Sequence, residues 1–197
     1  MSAIGAILFF GASIAINYWA NNYATRIGKN AVTDIVLNNV RVFDVNFIMT
    51  WGVLVLIGYI AWALFTKPNC IPFVLKSMAI FIITRAVFIS ITHIAQFTPQ
   101  APLDSGVLLN IIGWGNTGGL FFSGHTGLPF LMALVFWDHF RLRFIFLTTS
   151  LVFAVSVLLG HLHYSIDVLG AFFITYTIYH IALAWFPRDA VLFSKGI

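Results

Sequence analysis

Charge is what this sequence has least of. Only 8% of its 197 residues are Asp, Glu, Lys or Arg, and the six acids are all Asp, with no Glu. A soluble domain carries about 25% charged residues, so there are too few here to coat a water-exposed surface of this size. Disorder, coiled coil and nucleic-acid binding are poor readings of such a composition. Cysteine is nearly missing as well. Cys70 stands alone, which excludes an intramolecular disulfide framework and a cysteine-rich zinc site. In their place the chain is 60% hydrophobic and 17% aromatic, with a formal charge of +4. The expected fold class is all-α, a polytopic membrane protein, with no internal repeat, low-complexity tract or soluble domain in the sequence.

A bilayer core about 30 Å thick needs about 20 apolar residues per helix. Six windows meet that demand, approximately residues 3–20, 45–65, 73–94, 120–137, 144–162 and 164–186. Residues 1–197 therefore read as one integral membrane catalytic domain with six transmembrane helices. No Lys or Arg precedes the first window and no convincing cleavage site follows it, so it is expected to be a retained helix rather than a signal peptide. Threading six spans puts Lys67, Lys76, Arg141, Arg143, Arg188 and Lys195 on one face and only Arg26, Lys29 and Arg41 on the other. The excess of positive charge predicts that both termini are cytoplasmic, with the first, third and fifth connections on the periplasmic, luminal or outer face. Residues 21–44 suit either a short interfacial amphipathic helix or a flexible loop. Residues 97–119, with Pro99, Pro102 and five glycines, read as a structured lid at the membrane surface.

Ionisable residues within spans cost a few kcal/mol each, so they are the first places to look for function. Arg85, His93, His125, His161, His163 and Asp167 all fall near the outer ends of spans three to six; His139 and His180 do not. In Phe121-Phe122-Ser123-Gly124-His125-Thr126, free N–H groups at a helix start offer an anion site. Gly124 would let a ligand approach the backbone, Ser123 would cap or donate to an oxyanion, and His125 would hand over a proton. The plainer reading is a capped helix with an interfacial His. In His161-Leu162-His163-Tyr164-Ser165-Ile166-Asp167, the four-residue spacing puts His163 and Asp167 on one helical face, where the carboxylate can fix the imidazole tautomer. The plainer alternative is a pair that merely satisfies two costly groups.

Taken together, Arg85, the Ser-Gly-His-Thr run and the His-Tyr-Ser-Ile-Asp-Val run of residues 163–168 resemble the lipid phosphatase/phosphotransferase superfamily typified by type 2 phosphatidic acid phosphatases. Within it, the Phe-Ser-Gly-His-Thr run of residues 122–126 is most similar to the sphingomyelin synthase-related branch. The resemblance covers roughly residues 80–180. It implies that His163 is a nucleophile forming a phosphohistidine, that Asp167 orients it, and that His125 is the general acid and then base. It implies that Arg85, Ser123 and Gly124 hold the phosphoryl oxygens, with no metal and no cofactor.

Departures from the pattern bear on the substrate. The phosphatase branch has a Lys seven residues before an Arg-Pro pair, whereas Lys76 lies nine before Arg85 and Ala86 replaces the Pro. It also has an Arg where this chain has Val157, which leaves Arg85 as the one obvious cation. A phosphomonoester carries about −1.5 to −2 charges at neutral pH and a diester about one, so one Arg suits a diester. The expected reaction is cleavage of a glycerophospholipid on the glycerol side of its phosphate. The phospho-head group would pass to ceramide, diacylglycerol or water, the last being phospholipase C-type hydrolysis. The synthase-like branch has an acidic residue where Gly119 stands, which leaves a choline-type head group open. The alternatives are a lipid phosphomonoester phosphatase, a metal site built from His161, His163 and Asp167, and a channel or transporter. Trp51, Trp62, Trp137 and Trp185 are expected to form an aromatic belt. His93 and His161 would border the pocket, and His161 would otherwise steady His163.

Overall fold

The computed structural model describes residues 3–28, 30–103 and 119–195. Among them the regular structure is helical, with a single isolated bridge between Asn30 and Ile94. The helices in chain order are α1 (Ala3–Ile27), α2 (Asn46–Thr66), α3 (Ile71–Ile91), α4 (Gly124–Val135), α5 (Phe140–Leu159), α6 (Ser165–Trp185) and α7 (Pro187–Lys195). A 3-10 turn at Pro68–Cys70 joins α2 to α3. Pro68 sits at its first position, where a missing N–H costs nothing.

Five of these helices, α1, α2, α3 with its preceding turn, α5 and α6, are long and apolar enough to cross a membrane. The chain is a polytopic helical membrane protein. Large side chains such as Phe65, Phe47, Val55 and Phe173 stand exposed on its surface, as lipid-facing residues do. Trp51, Trp62, Trp137 and Trp185 are likewise exposed.

The fourth expected span is realised differently. Its helix is 12 residues long, about 18 Å, because residues 119–123 stay non-helical and Ser123 starts the helix late. α4 is also the most enclosed helix, with Gly124–Thr126, Gly127–Pro129 and Leu131–Val135 all buried. It packs among α3, α5 and α6. Gly127 makes the closest of these contacts, since a Cβ there would lie 2.7 Å from the Phe81 ring and 2.9 Å from Thr175 Oγ1.

α1 runs seven residues past its apolar window. Its polar end is held in helix by Asn21 Nδ2 donating to the Asn17 carbonyl at 2.9 Å and Thr25 Oγ1 donating to Asn21 O at 2.8 Å. Among the described residues of 28–45 no helix longer than a turn forms. Asp34 instead closes a turn by accepting the N–H groups of Val36 and Leu37 at 2.8 and 3.1 Å. Most of the expected lid, residues 104–118, lies outside the described residues. α7 was not anticipated from hydropathy. It returns beneath the bundle, placing Phe193 against Phe73 and Phe136 at ring separations of 5.6 and 5.4 Å. It also places Asp189 against Lys76 of α3.

Candidate active site

The two motifs meet at the ends of short α4 and of α6. Ser123 is the N-cap of α4: its Oγ accepts from Thr126 N at 3.4 Å and from Thr126 Oγ1 at 3.2 Å. Its hydroxyl proton stays available to a ligand oxygen. The Ser123 N–H donates to the Asp167 carbonyl at 3.2 Å, a backbone stitch between segments over forty residues apart.

His163 and Asp167 are brought together, though not as neighbours on one helical face. α6 begins at Ser165, so His163 precedes the helix, and Asp167 occupies its third position and folds back over the start. Asp167 Oδ2 accepts the Tyr164 N–H at 2.9 Å and lies 3.3 Å from His163 Nδ1. The cap therefore sets the dyad. With Nδ1–H on the carboxylate, Nε2 is the free nitrogen. Asp167 Oδ1 is buried without a hydrogen-bond partner among the described residues. The His125 ring stands 6.1 Å from the His163 ring and 6.3 Å from the Phe153 ring, centroid to centroid.

Arg85 reaches across from α3. Its Nε donates to Phe122 O at 3.1 Å, Nη1 to Asn17 Oδ1 at 3.4 Å and Nη2 to Gly119 O. Two of its five N–H groups are left without a partner among the described residues. A Cβ on Gly124 would come within 3.3 Å of Arg85 Nε. The missing side chain thus admits the guanidinium to the start of α4. Arg85, His125, His163 and Asp167 are 5%, 9%, 6% and 0% exposed, and Ser123 is fully buried.

The other histidines stand apart from this cluster. His161 has a left-handed φ of 55°, and its ring nitrogens lie 3.0 Å from the carbonyls of Pro99 and Val40. It clips two loops together and is turned away from any joint ligation with His163 and Asp167. His93 is exposed against Tyr23, with Nε2 3.0 Å from Ser90 O. His139 meets Lys67, and His180 packs on Tyr176 and Tyr179, about 25 Å along α6 from His163. Lys76 is 1% exposed, over the Phe186 ring at 4.9 Å and paired with Asp189. Nine residues from Arg85, it is removed from the site by about 13 Å.

Two supports were missed by sequence reasoning. Asn17 and Asn21, 3% and 0% exposed, stand one turn apart on α1, the first within its apolar window and the second just past it. Paired amides in an apolar helix were a readable signal. Asp34 Oδ2 accepts both the N–H and the hydroxyl of Ser165 at 2.7 Å, tying the first connection to the start of α6. Burial pushes the Asp34 carboxyl up, but hydrogen bonds from Ser165, Leu37 and Val36 outweigh it and hold the carboxyl below its ordinary value. The Tyr164 hydroxyl adds a bond to Ala95 O at 2.9 Å and accepts from Val32 N at 3.2 Å. Two connecting segments thus form a collar around residues 161–165.

A buried imidazole pair with a carboxylate, a guanidinium and a capped helix start is a set of groups that can supply an acid, a base or nucleophile, and an anion site within a membrane bundle. Residues 117–184, about a third of the chain, match the family model described as PAP2 superfamily C-terminal. That match supports a lipid phosphatase/phosphotransferase-type enzyme acting on membrane lipids. No curated protein and no solved structure matches this chain.

Proposed function

We propose that this protein is a lipid phosphotransferase of the sphingomyelin synthase-like kind. It would cleave a glycerophospholipid on the glycerol side of the phosphate and carry the phospho-head group on His163. His163 Nε2 attacks phosphorus, forming a P–N bond as the P–O bond to glycerol breaks. His125 gives its proton to the departing oxygen, releasing diacylglycerol. The acceptor hydroxyl, of ceramide, diacylglycerol or water, then loses its proton to His125 as its oxygen attacks phosphorus and the P–N bond breaks. Asp167 keeps the proton on Nδ1 and balances the imidazolium. Arg85, with the Ser123 hydroxyl and the Gly124 N–H, meets the charge that builds on the phosphoryl oxygens.

The observation that carries this reading is the meeting of His125, His163 and Asp167 beside Arg85, the one cation that reaches them among the described residues. Lys76 is committed to Asp189, and exposed Arg41 is stacked on Phe43 at 4.7 Å. One cation in a buried site suits the single charge of a diester better than the near-double charge of a monoester. The site lies at the end of the bundle opposite Lys67, His139 and α7. Under the positive-inside rule that is the non-cytoplasmic face, with both termini cytoplasmic.

The test is a mass-spectrometric product profile from purified protein given mixed glycerophospholipids, phosphatidic acid, ceramide and diacylglycerol, with His163→Ala as the blank. Diacylglycerol with a head-group-modified acceptor, or a free phospho-head group, is expected. Free phosphate from phosphatidic acid with the diesters untouched would assign a phosphomonoester phosphatase instead.

A further inference from the structure

The five reactive and anion-binding groups are each at most 9% exposed, so a lipid reaches them only if a surrounding group moves, and among the described residues a side chain stands between the His125 ring and a lipid-facing groove. We propose that this side chain, Phe153, is the group that moves, and that the groove outside it, between α2 and α5, takes one acyl chain of the lipid being processed. The proposal rests on the phosphoryl-transfer reading and adds where the substrate's apolar part lies.

The groove has a volume of about 460 Å³, and its walls include Phe47, Trp51, Val55 and Tyr59 of α2 and Ile145 and Val152 of α5. Phe47 and Val55 are 74% and 70% exposed, on helices that cross the membrane, so the groove opens sideways into lipid. From Phe47 to Tyr59 it runs about 18 Å, close to the thickness of one leaflet, half of a core of about 30 Å. Its upper end lies on the site's side, because Phe43, just before α2, donates its N–H to Leu159 O at the end of α5, 2.9 Å away. Its lining is apolar even at Thr149, whose hydroxyl is turned back to Ile145 O at 2.9 Å.

Phe153 is shared between groove and site. Its ring lines the groove, is itself 2% exposed, and faces the His125 ring at 6.3 Å. It rests on bare backbone at Gly52, where a Cβ would stand 2.8 Å from Phe153 Cε1. A rotamer change of this one ring joins the leaflet to the general acid. A chain in the groove then leaves the ester oxygen near His125, the group that must protonate it.

The experiment places the full-length protein in phosphatidylcholine vesicles doped with phosphatidylcholine bearing a photoactivatable diazirine on one acyl chain. Labelled peptides are mapped for the wild type, Val55→Trp and the control Val87→Trp, on an exposed face of α3. Label concentrated on residues 47–59 and 145–153, and reduced several-fold by V55W alone, is expected. Alongside, KM is compared for long-chain phosphatidylcholine and for a water-soluble nitrophenyl phosphodiester. V55W should raise the first about tenfold relative to the second, the loss of roughly two buried methylenes of contact, and V87W should change neither. Even labelling around the bundle, or an unchanged KM ratio, would overturn the groove while turnover of the soluble ester still upheld the chemistry. Cross-linked dimers through the groove without lipid label would give it to a second copy and overturn it too. If no ester is turned over, the phosphotransfer reading fails, and the labelling map still decides the groove.

Discussion

Lys76 offers a direct check on the reasoning, because a lysine shortly before an arginine in this kind of chain would otherwise be taken for a phosphate ligand. Here Lys76 is 1% exposed and its one acid partner among the described residues is Asp189, itself 7% exposed. Replacing Lys76 with Met leaves a buried carboxylate unpaired, which costs about 3–5 kcal/mol. For a chain of this length that corresponds to roughly 10 °C or more in Tm. Adding Asp189→Leu removes the orphaned charge, and well-packed apolar replacements of a buried pair are neutral or stabilising. The double variant should therefore recover most of the lost Tm. Since Lys76 is about 13 Å along α3 from Arg85, the double variant should also keep wild-type turnover per folded molecule. Thermal unfolding in detergent, with turnover measured on the folded fraction, reads both. A double variant that is stable and inactive would refute the assignment, place Lys76 in the site and favour a doubly charged monoester.

His163→Ala and Asp167→Asn should abolish turnover in folded protein, and His125→Ala should lower it by about 10²–10⁴-fold, whereas His180→Ala retains it, all read by product formation. Gly124→Ala places a methyl 3.3 Å from Arg85 Nε and should lower kcat with little change in Tm, as the guanidinium shifts by tenths of an ångström. Gly127→Ala meets the Phe81 ring at 2.7 Å and should cost about 1–3 kcal/mol of stability, seen as a lower Tm. Asp34 has its carboxyl held below the ordinary value, so the stabilisation from its bond to Ser165 is full above the ordinary value and is lost as pH falls through the lowered, folded-state value. Hydrogen exchange over residues 30–45 should rise at acid pH in the wild type and be raised at neutral pH in Asp34→Asn.

The helical bundle was legible because the length of an apolar run is set by the bilayer. α2, α3, α5 and α6 fall within a few residues of their windows. Hydropathy failed where a helix is not held by lipid. α4 is short because Ser123 caps it inside the window, and α7 is amphipathic and lies beneath the bundle. At the site, the pairing of His163 with Asp167 was readable from spacing, but its cause was not. A helix-start cap does what a shared helical face was expected to do. Asp34 was unreadable for a different reason, since its partner Ser165 is 131 residues away and nothing local marks the contact. Asn17 lies within the first apolar window and Asn21 just past it, and only the fold shows that Asn17 meets Arg85.

The central claim is that His163 carries the phosphoryl group between donor and acceptor. The most direct measurement is rapid-quench peptide mapping by mass spectrometry under conditions that preserve phosphohistidine, after mixing protein with phosphatidylcholine and no lipid acceptor. An adduct on His163 that retains the head group, absent in His163→Ala, is expected. An active enzyme with no adduct on His163, or with bare phosphate there, would contradict the covalent step in the first case and the diester in the second.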